Sequence, residues 1–76
     1  MYVDISRKLK DIFGRYSISL TSFDDKRLFE LRHFETSGTR EEVLNAINKL
    51  FGDRIEIADS RSELKREIER FVKSNY

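Results

Sequence analysis

His33 is the only histidine in the chain, and no cysteine accompanies it. Imidazole is a frequent metal ligand and the side chain that titrates closest to neutral pH. A metal centre, however, needs several such ligands brought together. Asp24 and Asp25 adjoin each other, but paired aspartates are common turn residues because they bond to nearby backbone. Glu30 and Glu56 could form an acid/base pair only if they faced each other across a dry cleft. Gly14, Gly38 and Gly52 are isolated, so neither a dinucleotide fingerprint nor a phosphate loop is present. Thr36-Ser37-Gly38-Thr39 opens a helix and offers free N–H groups to an anion, yet Glu41 and Glu42 follow directly and repel one. No GxxG loop exists to clamp a nucleic-acid backbone. These residues predict a protein that is not an enzyme, needs no cofactor or metal, and has no small-molecule substrate.

Binding is the remaining class. Arg15, Ser17, Ser19, Lys26, Arg27, Arg32 and Phe34 combine cations, hydroxyls and an aromatic ring, a mixture that suits phosphates and stacked bases. Fifteen basic residues are balanced by fourteen acidic ones, however, giving a net charge of +1. Domains that depend on nucleic acid usually carry a strong basic excess. Nucleic-acid binding is therefore the alternative expectation, and contact with protein is the first.

The elements that would place these residues follow from apolar spacing. Ile5, Leu9, Ile12 and Phe13 share one helical face, with Asp4 as N-cap and Gly14 as stop. Tyr16, Ile18 and Leu20 alternate with Ser17, Ser19 and Thr21 at the period of a half-buried strand. A second strand is expected over 27–34. A turn centred on Asp24-Asp25 then pairs Leu20 with Phe29, Ile18 with Leu31 and Tyr16 with His33. Thr39 and Glu42 form a capping box ahead of a helix over 40–51, which carries Val43, Ile47, Leu50 and Phe51 and stops at Gly52. Residues 54–58 read as a third strand with Ile55 and Ile57 facing inward. Ser60 and Glu63 suggest another capping box, opening a helix with Leu64, Ile68, Phe71 and Val72 on its apolar stripe.

The resulting expectation is a single α+β domain over 1–76 with order α-β-β-α-β-α. Its small three-stranded mixed sheet carries helices mainly on one face. The split βαβ arrangement, strand order 2-1-3, is favoured. Such a sheet is only about 10–15 Å wide, and one face of it holds two helices rather than three. The surplus stripe predicts an association surface at Leu64, Ile68, Phe71, Val72 and Tyr76, with Leu28 and Phe34 as apolar islands on the open face. A homodimer or another protein partner is the expected consequence.

Charged and hydrophobic residues each make up 38% of the chain, which is too apolar for a disordered segment. Abundant Glu, Lys and Arg, without Cys or Gln and with one Met, match thermophile usage. No long apolar run and no signal-like start are present, so a cytoplasmic location without membrane contact is expected.

Overall fold

Thr21 and Asp24 decide the architecture. The Thr21 hydroxyl accepts the Asp24 N–H at 3.4 Å, and the Asp24 carboxylate accepts the Thr21 N–H at 2.9 Å. This reciprocal cap satisfies donors that a helix start would otherwise leave free. It starts a helix where a hairpin turn was expected. A computed structural model describes residues 2–76. Among the described residues there are four α-helices, one 3₁₀ turn and no strand. The helices are α1 (Ile5–Arg15), α2 (Ser22–Glu30), α3 (Arg40–Glu56) and α4 (Arg61–Asn75), with the 3₁₀ turn at Arg32–Glu35 between α2 and α3.

The expected α+β domain is thus replaced by an all-α one, and each lost strand has a local cause. Residues 16–21 link α1 to α2. Tyr16, Ile18 and Leu20 pack partly against the core while Ser17, Ser19 and Thr21 are exposed. The alternation is real, but it belongs to a linker lying across the core. Over 27–34 the buried residues are Leu28, Leu31 and Phe34, not the strand face of Phe29, Leu31 and His33. Spacing by three is the eclipsed period of a 3₁₀ helix. The bonds Leu31 N–H to Leu28 C=O and Phe34 N–H to Leu31 C=O follow it, each at 3.0 Å. Over 54–58 the chain completes α3, which runs to Glu56, and then turns at Ile57. Val43, Ile47, Phe51 and Ile55 form a buried ladder at intervals of four, while Ile57 is 76% exposed.

Two helix ends differ from expectation. Gly14 and Gly52 lie inside α1 and α3. The stop of α1 is Ser17, held at φ 60°. The Ile18 N–H bonds to the Phe13 carbonyl at 3.0 Å and the Ser17 N–H to the Gly14 carbonyl at 3.2 Å, the two bonds of a Schellman motif. Ser60 precedes α4 without a side-chain cap, so the expected box with Glu63 does not form. The Asp4 cap and the Thr39–Glu42 box are present as read.

The helices close on a shared core. Phe13 of α1 meets Phe51 of α3 with ring centroids 5.3 Å apart. Leu64, Ile68 and Val72 of α4 are buried in the same cluster. Charges bracket the α3–α4 pair at both ends. Glu56 takes Lys65 at 2.8 Å and Arg61 at 3.6 Å. At the other end Arg40 donates to the Lys73 carbonyl at 3.1 Å. The chain's start is tied to the 3₁₀ turn by Val3 N–H to Glu35 C=O at 2.7 Å, and its end by the Tyr76 hydroxyl, which donates to the Phe34 carbonyl. The radius of gyration is 11.4 Å, matching the roughly 11 Å of a fully compact chain this long. No sheet crowds the helices among the described residues, and the stripes of α1, α3 and α4 are buried against one another.

Candidate functional site

Burial separates the expected interface residues into two groups. Leu64, Ile68, Val72, Leu28 and Phe34 lie inside the monomer's own core. Only Phe71 and Tyr76 keep partial exposure. Tyr76 faces the 3₁₀ turn, where burial and then the nearby Glu35 charge push its phenol pKa above the ordinary 10.0.

The residues expected to meet nucleic acid have no common sheet face, because no sheet forms among the described residues. Arg15 pairs with Glu67 at 3.5 Å. Ser17 occupies the left-handed position ending α1, and the Ser19 carbonyl accepts from Arg54. Lys26 is exposed on α2. Arg27 sits between Asp53 at 3.2 Å and Asp24 at 3.6 Å. Arg32 pairs with Glu35 at 3.1 Å. His33 is exposed, its ring 3.9 Å from that of Phe34.

Asp24 is the buried acid, 2% exposed. One carboxylate oxygen faces Arg27 at 3.6 Å. The other takes the Thr21 cap and faces Arg54 at 3.8 Å. At 2% exposure and with an arginine facing each oxygen, Asp24 is closed off from solvent. The cluster instead ties the start of α2 to the end of α3 and to the linker. Asp53 joins it from α3. Burial raises its pKa, but the Arg54 backbone N–H and the Arg27 guanidinium outweigh that and hold it below the ordinary 3.8.

Spacing arguments overlooked the outer side of α2. Phe23 is 61% exposed and Phe29 66%. The Arg27 guanidinium lies over the Phe23 ring at 4.8 Å, and that of Arg32 over Phe29 at 5.4 Å. Tyr2 is 64% exposed. It stands at Glu35, whose hydrogen bond, aided by desolvation and by the carboxylate charge, pushes the phenol pKa above 10.0. Tyr2, Phe29, Arg32 and Glu35 therefore form one small patch. Aromatic rings and arginines are the residues that dominate binding energy at protein interfaces. The available signal was the apolar set Leu28, Leu31 and Phe34, which turns Phe29 outward once α2 is read as a helix.

Two depressions flank α4. The α3–α4 groove holds about 340 Å³ and is floored by Leu44, Ile55 and Ile68. A wider cleft of about 870 Å³ runs between α1 and α4. Among the described residues no three His, Cys, Asp or Glu side chains converge as a metal site. None of the described helices is long and apolar enough to cross a membrane. No protein-family model, curated protein or solved structure matches the chain.

Proposed function

We propose that the chain is a non-catalytic protein-binding module that pairs with a second copy of itself through the outer side of α2 and the turn that follows. The exposed Phe29 ring beneath the Arg32 guanidinium carries this reading. An exposed phenylalanine loses water contact favourably on association, at roughly 25 cal/mol per Å² of apolar area covered. The stacked arginine can keep its ring contact while bonding across an interface.

The partner follows from charge. Arg32 is neutralised by Glu35 at 3.1 Å, so two copies can bring this patch together across a twofold axis without like-charge repulsion. A net charge of +1 sets little long-range repulsion between copies. The anchoring side chains are exposed, so replacing them leaves the core untouched.

Sedimentation velocity over a rising concentration series tests the proposal on wild type, Phe29→Glu and Arg32→Ala. Wild type is expected to shift toward dimer with concentration. Phe29→Glu is expected to remain monomeric with unchanged helical circular dichroism, and Arg32→Ala to dimerise more weakly. Wild type that stays monomeric throughout, or Phe29→Glu that dimerises like wild type, overturns the reading.

A further inference from the structure

The α1–α4 cleft lies apart from the α2 patch, and two of the cations on its walls are unpaired among the described residues. Its walls carry Lys8, Lys10 and Arg15 from α1 and Arg70 from α4, against two carboxylates, Asp11 and Glu67. Arg15 is matched by Glu67 at 3.5 Å and Lys10 by Asp25 at 3.3 Å. Lys8 and Arg70, from opposite walls, form no ion pair among the described residues. Beside Arg70, Arg66 and Lys73 border a smaller depression on α4, together with Glu69. Arg66 and Lys73 too lack an ion pair among the described residues. These four cations, Lys8, Arg66, Arg70 and Lys73, thus border this side of the chain.

The floor adds a second observation. Ile12 and the half-buried Phe71 line the bottom of the cleft. Gly14 lies on its α1 wall, and nothing stands within 4 Å of where a Cβ would be. Its φ is not positive, so the backbone does not require glycine there. Within a helix glycine costs about 1 kcal/mol relative to alanine. Leaving this wall bare keeps open the space above an apolar floor.

We infer that the cleft receives an acidic amphipathic peptide segment, with an apolar side chain seated over Gly14 against Ile12 and Phe71 and carboxylates on Lys8 and Arg70. An apolar-floored groove between helices with charged rims is how amphipathic segments are commonly held. A nucleic-acid backbone fits less well. Its evenly spaced phosphates would meet Asp11 and Glu67, and it brings no aliphatic group for the floor. A peptide can space its acids to avoid both carboxylates.

Fluorescence anisotropy with the full chain tests this. The probes are a labelled helical peptide with Glu on one face and Leu on the other, the same peptide with Lys for Glu, and a labelled single-stranded DNA. The acidic peptide is expected to bind, and to weaken as salt rises. Lys8→Glu and Arg70→Glu are each expected to weaken it by about tenfold at low salt. Gly14→Leu is expected to abolish binding while keeping the helical circular dichroism, because it fills open space. Phe29→Glu serves as the control and binds the peptide normally, so failure of self-pairing is distinguishable from failure here. Equal binding of the Lys peptide, tighter binding of DNA, or an unaffected Gly14→Leu variant overturns the inference.

Discussion

Gly38→Ala and Gly52→Ala make the same chemical change and are expected to shift stability in opposite directions. Gly38 has φ 140°, a backbone angle that costs an L residue about 1–3 kcal/mol. A Cβ there would stand 2.6 Å from Cδ1 and 3.2 Å from Cε1 of Phe34. Phe34 is buried, and its carbonyl is held by the Tyr76 hydroxyl, so the ring cannot swing aside freely. Overpacking of this kind adds about 1–3 kcal/mol. The central expectation is a loss of about 4 kcal/mol, which lowers Tm by roughly 16–32 °C in a domain of this size. Gly52 lies inside α3 with nothing within 4 Å of its absent Cβ. Alanine there removes the helix cost of glycine and is expected to stabilise by about 1 kcal/mol. Thermal and urea unfolding followed by circular dichroism measure both. Gly38→Ala within about 0.5 kcal/mol of wild type would refute the placement of Gly38, and a destabilised Gly52→Ala that of Gly52.

Further predictions concern helix ends and acid. Ser17→Gly is expected to stabilise by about 0.5–1 kcal/mol, since Ser17 holds a left-handed angle that glycine adopts without steric cost; a urea midpoint at or below that of wild type counts against it. Thr39→Ala is expected to cost about 1 kcal/mol through loss of its capping box, whereas Ser60→Ala, which removes no capping bond, leaves Tm within a degree or two; equal losses contradict the assignment. The Lys65 hydrogen bond and charge, helped by Arg61, hold the Glu56 carboxyl below its ordinary 4.5. A depressed folded-state pKa gives stability that is present above the unfolded value and lost as pH falls through the folded one. Tm is therefore expected to drop below about pH 4, and Glu56→Gln to flatten part of that decline; identical acid profiles for the two proteins reject it.

How much of this was legible varies by segment. The apolar set of α1 admits a single period, and Asp4 marks its start, so that helix and its four buried residues were readable. The same holds for Thr39–Glu42 and for Leu64, Ile68 and Val72. Residues 27–34 admit two readings, a strand by alternate residues or a helical stretch by threes. Local pattern does not choose between them; the Thr21–Asp24 cap does. That box has a shape similar to the Thr39–Glu42 one but uses aspartate, and a turn reading of Asp24-Asp25 hid it. At Gly52 the ladder of Val43, Ile47 and Phe51 continues to Ile55, which outweighs a glycine whose conformational freedom goes unused. The surface followed the fold. A sheet would have left Leu28 and Phe34 exposed, whereas the helix hides both and presents Phe23 and Phe29 instead. Arg27 and Arg32 were legible as cations, but their stacking on those rings depends on the helical spacing of four and three.

The linker over residues 16–21 holds six residues without a charge or a proline, patterned for a ladder yet without a strand partner among the described residues. Short neutral stretches of this kind drive cross-β aggregation once they are released. Here release is opposed by Tyr16, Ile18 and Leu20 lying on the core, and the stretch is flanked by Arg15 and by the charged run 24–27, which act as gatekeepers. Thermal scans are therefore expected to be irreversible and to depend on scan rate, and Ser19→Lys is expected to restore reversibility; reversible wild-type scans refute this.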